Sequence, residues 1–156
     1  MNGEPAEEVA AVPIEWRAYA TIGEQTSAEG IGARALSMGN TVGVSARRGS
    51  WIGTVELRAA ADATYPCVPR VWCGDWGDLS LGAGLGGTAW ALTLSVGWLP
   101  HSGVAGAHAW WTPLGAPRGP VYAGLEAGFL LPLYQTPDRL AWSAYVGLRG
   151  ELRVSP

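Results

Sequence analysis

The sequence contains no lysine; its ten basic residues are all arginine. Charged residues make up only 15% of the chain, where about 25% is usual for soluble domains. The net charge of −3, with no basic run, argues against nucleic acid as a partner. Histidine and cysteine are reduced to two each. Two cysteines without clustered histidines do not make a zinc site, so no metal is expected. No phosphate loop or Gly-x-Ser-x-Gly elbow occurs, and no cofactor is expected. Gly82, Gly84 and Gly86 imitate part of a dinucleotide fingerprint, but no helical pattern follows them. The acidic opening, Met1 to Glu8, lacks the positive and apolar regions of a secretory signal peptide. A cytosolic chain and a mature exported chain both fit that opening, and the cysteines favour export.

Against these absences stand 23 glycines, 11 prolines and nine tryptophans, with an ordinary 48% of hydrophobic residues. So many glycines exclude a protein of long helices, at about 1 kcal/mol each. The aromatic content excludes disorder. The length suits one domain with a real core.

The uncharged run from Leu79 to Pro100 is long enough for a membrane helix, but its period is two. Leu79, Leu81, Ala83 and Leu85 alternate with Ser80, Gly82, Gly84 and Gly86. After Gly86-Gly87, Trp90, Leu92, Leu94, Val96 and Trp98 alternate with Ala91, Thr93, Ser95 and Gly97. Two strands joined by a glycine turn account for the whole run. The same alternation recurs over 14–22, 36–47 (interrupted by Asn40), 51–62, 104–111, 121–131 and 140–154. That makes eight strands, with a solvated tail over 1–12 and a barrel domain over 13–154. Connections at 23–33, 63–78, 99–103 and 132–139 alternate with generally shorter ones at 48–50, 86–88 and 112–120. Such alternation is expected of an up-and-down barrel with the two sets at opposite ends.

A soluble eight-stranded barrel, such as a lipocalin, turns its apolar face inward; a membrane barrel does the reverse. Here the non-apolar face is mostly Gly, Ser, Thr and Ala, a poor soluble surface but a good lining for a narrow lumen. Its charges are of both signs: Glu15, Arg17, Glu56, Arg58, Glu126, Arg149, Glu151 and Arg153. Buried ions must be paired, and closure of strand one on strand eight is expected to bring Glu15 and Arg17 near Arg149, Glu151 and Arg153. On the apolar face, Trp16, Trp51, Trp90 and Trp111 fall near one end. Trp98 and Trp142 fall near the other, with Phe129 and Tyr134 close to that level. This is the distribution expected of aromatic girdles at two membrane interfaces.

Strand count, alternation and girdles together resemble the small eight-stranded outer-membrane barrels, the class of the OmpA transmembrane domain and OmpX. The resemblance covers residues 13–154. It implies an all-β, antiparallel, up-and-down transmembrane barrel in the outer membrane of a Gram-negative bacterium, with the lipid bilayer as its first partner and both termini in the periplasm. The chain finishes Arg153-Val154-Ser155-Pro156, where that class usually finishes on an aromatic residue.

Four places invite a functional reading. Cys67 and Cys73, with five residues between them in a segment bent by proline and glycine, would close a small disulfide ring worth roughly 2 kcal/mol; two reduced thiols are the alternative. The surrounding loop 63–78 carries Arg70, Trp72 and Trp76, residue types enriched at binding hot spots; folding back on the rim is the alternative. Lipid-modifying barrel enzymes pair a His and a Ser on the lipid-facing wall, but His101 and Ser102 are adjacent in a turn and lack an orienting third group. His108 shares the lumen phase and is expected to pair with Glu126, as a structural group or a pH-sensitive one. The expected role is that of a closed structural or surface-interaction protein rather than an enzyme. A lipid-modifying enzyme, a narrow conduit and a soluble ligand-binding barrel are the alternatives.

Overall fold

The computed structural model describes residues 12–29, 33–62, 74–99, 102–115, 119–133 and 142–154. They form eight strands: β1 (Ile14–Glu29), β2 (Ala33–Arg48), β3 (Trp51–Asp62), β4 (Gly74–Gly86), β5 (Trp90–Leu99), β6 (Ser102–Gly115), β7 (Val121–Pro132) and β8 (Trp142–Val154). Each pairs antiparallel with its neighbours in sequence, and β1 pairs with β8 to close the cylinder. The architecture is an all-antiparallel, up-and-down barrel.

The lower rim carries the tight β2–β3 and β4–β5 turns, the start of β1 at Ile14 and the end of β8 at Val154. Gly49 sits there at φ 62°, a left-handed conformation in the β2–β3 turn that suits a residue without Cβ. In the β4–β5 turn the Gly87 N–H donates to the Trp90 carbonyl. The longer strand overhangs lie at the upper rim.

Several strands outrun their alternating patterns. β1 continues through Glu29 and β2 begins at Ala33, so 23–29 and 33–35 belong to strands rather than to a connection. β4 begins at Gly74 rather than Leu79, which takes Trp76 and Asp78 out of the expected 63–78 loop. β6 reaches Gly115 through an irregularity between Trp111 and Leu114. The apolar alternation ends before the backbone pairing does.

The two faces separate sharply. Large apolar side chains point outward: Trp51 and Leu94 are each 68% exposed, and Leu148 is 66% exposed. Inside are buried Arg17, Glu56, Arg58, Asp78, His108, Glu126, Arg149 and Glu151, with Tyr19 and Trp110. A small apolar cluster of Ile52, Ala91 and Trp110 sits among them, and Val104 and Leu130 are buried on β6 and β7. Asn40, the break in the β2 pattern, lies on the outer face opposite Ile22 and Ala59.

Two glycines show why the interior is rich in them. Tyr19 lies across Gly43, and Tyr145 lies across Gly128; a Cβ at either glycine would overlap the tyrosine ring. The missing side chain is the space the ring occupies. Gly128→Ala is therefore expected to cost about 1–3 kcal/mol through overpacking. Denaturant unfolding followed by tryptophan fluorescence would check this, and an unchanged midpoint would refute the close packing.

Candidate functional site: the charged interior

Strand alternation sends every second side chain into a cylinder of eight strands, which is only wide enough for side chains to fill. Ions placed there lose water and must find each other. Glu15 receives Arg17 Nε at 2.5 Å and Arg47 Nη2 at 2.9 Å. Arg17 Nη2 donates to the Gly87 carbonyl at 3.0 Å, and its Nη1 stands 3.9 Å from Glu151 Oε2. Glu151 is the junction: Arg149 Nε reaches Oε1 at 2.8 Å, and Arg153 Nη2 reaches Oε2 at 2.8 Å. Arg153 also donates to Thr112 Oγ1 at 2.6 Å and to the Thr88 carbonyl, with its guanidinium 3.6 Å above the Tyr122 ring.

Arg149 is the most heavily used cation. It pairs with Glu126 at 2.7 Å as well as with Glu151, and its guanidinium lies between two rings, 3.5 Å from the Tyr19 centroid and 4.1 Å from that of Trp110. Two carboxylates occupy its edge and two π faces its planes, a geometry suited to guanidinium rather than ammonium.

Above this layer the hydrogen bonds cross from strand to strand in a belt. Thr21 of β1 and Tyr145 of β8 both donate to Glu126 of β7, each at 2.6 Å. Tyr145 Oη meets His108 Nδ1 at 2.6 Å, and His108 Nε2 meets Ser95 Oγ at 2.7 Å. Arg58 Nη2 donates to Ser95 at 2.9 Å and to Ser80 at 2.7 Å, while Arg58 Nε donates to Glu56 at 3.1 Å. Tyr19 Oη donates to Glu56 Oε1 at 2.6 Å and returns the belt to β1. The donors fix the direction. Tyr145 gives its one hydrogen to Glu126, so its oxygen accepts from His108 Nδ1–H. His108 Nε2 is then left to accept from Ser95, whose oxygen accepts from Arg58.

The eight charged residues singled out in the sequence therefore all sit in one interior network. Glu15 reaches Arg17 and Arg47 rather than β8 directly, because the β1–β8 register sets Arg17 opposite Arg153. His108 does not pair directly with Glu126. The β6–β7 register sets His108 opposite Gly128 and Glu126 opposite Trp110, and Tyr145 fills the gap. The sequence reading does not single out Tyr19, Thr21, Asp78, Ser80, Ser95, Trp110 or Tyr145 as members. All but Asp78 lie on strands whose lumen phase already carries a charged residue or His108, or in the small-residue phase of β4 and β5. Asp78 is hidden by the expected loop, although it lies 3.8 Å from Arg58.

Trp16, Trp90, Trp98 and Trp111 are outward and more than half exposed, as is Trp51; Trp142 is partly covered and stacks on Phe129 at 5.8 Å. Cys67, Cys73, Arg70, Trp72 and His101 lie outside the described residues. Trp76 stands in β4, opposite Ala60, and Ser102 opens β6. Among the described residues there is no group of three or more His, Cys, Asp or Glu side chains suited to a metal ion.

A closed eight-stranded cylinder with its ions inside and its apolar residues outside defines the class of small up-and-down barrels. The solved structure of Neisserial surface protein A (NspA) shares this fold. The match covers 89% of this chain and 96% of that one, with a TM-score of 0.56 and 11% sequence identity. No protein-family model and no curated protein matches the chain.

Proposed function

We propose that the chain is an integral outer-membrane β-barrel whose lumen is plugged by its own charges, and that it acts as a structural or surface-interaction protein. The observation that carries this reading is the inversion of the faces: ions buried inside, Leu, Val and Trp exposed outside. In water such an exterior would be one continuous apolar patch, far beyond what soluble monomers expose. In a bilayer it is the required surface. The tryptophans fit the same reading. Trp16, Trp51, Trp90 and Trp111 lie toward the lower rim, and Trp98 and the Phe129–Trp142 stack toward the upper. From Trp90 to Trp98 a strand tilted by about 40° rises about 20 Å, close to the ~25 Å apolar band of such barrels.

The belt supports a closed lumen. It joins side chains from β1, β3, β4, β5, β6, β7 and β8 across the bore. Reconstituted into planar bilayers, the protein is expected to show no conductance steps. Regular steps in the unmodified barrel would overturn the plug. A surface role would fall to the segment between β3 and β4, whose sequence contains Arg70, Trp72, Cys67 and Cys73. Pull-down from intact envelopes, with that segment deleted as control, tests it. The enzyme reading needs an outward Ser–His pair. His108, the one histidine among the described residues, faces inward.

A further inference from the structure

The lower half of the lumen holds more hydrogen-bond donors than the protein answers. Arg17 Nη1, Arg149 Nη2 and Trp110 Nε1 are buried without a hydrogen-bond partner among the described residues. All three atoms are donors only. The hydroxyls of Ser45, Thr54 and Thr93, on β2, β3 and β5, are buried and unpartnered as well. These groups are close in the fold. Arg17 and Arg149 flank the two oxygens of Glu151, the Arg149 guanidinium lies on the Trp110 ring, and Ser45 stands opposite Thr54. The charges of this half are also uneven. Arg17, Arg47, Arg149 and Arg153 face Glu15, Glu126 and Glu151, while the carboxylate that balances them, Asp78, stands farther up beside Arg58 and Glu56. Arg153 is fully engaged by Glu151, Thr112 and Thr88, so the free donors lie deeper than the rim cavity that Arg153 and Glu15 help to line.

We infer that the lower lumen is a binding site for one small monovalent anion of halide size, held by Arg17 Nη1, Arg149 Nη2 and Trp110 Nε1. Such an ion supplies only acceptors, as the three nitrogens require, and sets negative charge at the arginine-rich end of the lumen, where buried donors are costly to leave unmade. The nearby hydroxyls have rotatable hydrogens and turn toward it. The ligand is small because the belt closes the lumen directly above and the ring of Trp110 fills its side. The site is independent of whether the outer face meets lipid.

The test is diffraction from the detergent-solubilised barrel in sodium bromide, recorded at the bromine edge. One anomalous peak is expected within hydrogen-bond reach of the three nitrogens. In parallel, melting is compared in chloride, bromide and gluconate at equal ionic strength. At a hundredfold excess over the dissociation constant, the halides are expected to raise the midpoint by roughly 5–10 °C. Trp110→Phe keeps a ring beside Arg149 and removes one donor; it should fold and lose much of that halide increment. Absence of a lumen peak, with water alone bridging the nitrogens, overturns the anion. Equal melting in all three salts does the same.

Discussion

Replacing Arg149 with methionine is expected to destabilise the barrel by about 3–5 kcal/mol, because removing one partner of a buried ion pair leaves the other charge stranded. Here Glu126 is left without a cation, and Glu151 keeps Arg153 and the more distant Arg17. Glu126 loses a 2.7 Å partner and Glu151 a 2.8 Å partner, and both side chains are fully buried. Methionine fills much of the space between Tyr19 and Trp110, so the loss reports electrostatics rather than a cavity. Arg149→Lys keeps the charge but offers no planar fork to two acids and no flat face to two rings, and should fall between parent and Arg149→Met. Adding Glu126→Gln to Arg149→Met should recover part of the loss by removing one unpaired charge. Urea unfolding in lipid vesicles, followed by tryptophan fluorescence, measures all three. A methionine variant within about 0.5 kcal/mol of the parent, the range of ordinary surface substitutions, would mean the network carries no stability.

The second large effect concerns the other face. Leu94 is halfway along β5 and 68% exposed, so Leu94→Arg puts a cation at the middle of the proposed bilayer. The expected cost is about 2–4 kcal/mol, falling to about 0–1 kcal/mol near an interface. Val121, the first residue of β7 and 59% exposed, supplies the interface comparison. The difference between Leu94→Arg and Val121→Arg is the decisive quantity. A barrel standing in water would register neither, since an exposed arginine there is ordinary surface. Equal and negligible costs in vesicles would therefore sink the outward-facing membrane assignment while leaving the fold untouched.

Much of this architecture is legible as period two. Trp90, Leu92, Leu94, Val96 and Trp98 mark one face of β5, and Thr93 and Ser95 the other. The charged pairs Glu15/Arg17, Glu56/Arg58 and Arg149/Glu151 mark the interior because residues two apart share a face. Alternation is silent where no face has to be apolar. Residues 25–29 pair with 33–37 in unbroken register, yet Gln25, Thr26, Ser27 and Glu29 read as a connection. The start of β4 is missed in the same way, and Asp78 with it. Alternation is also silent about register, which decides who meets whom. It gives the faces of His108 and Glu126 but not the two-residue offset that admits Tyr145 between them. Tyr19 and Tyr145 look like misplaced aromatics in a polar phase until the glycines across from them, Gly43 and Gly128, show the room they use.

The belt has a bearing on how such a barrel is made. Its links join strands that are not neighbours in the sheet, such as β1 with β3, β3 with β5 and β6 with β8. These cross-bore contacts need the sheet to curl, because in a flat sheet the strands they join stand a full strand apart. Local hairpin formation can make the bonds between neighbours, such as Arg149–Glu126 and Arg47–Glu15, but leaves the cross-bore bonds unmade until the sheet curls and β1 meets β8. Closure of that seam and completion of the belt become a single event, so a half-zipped cylinder lacks its cross-bore bonds, and assembly should be strongly cooperative at its last step.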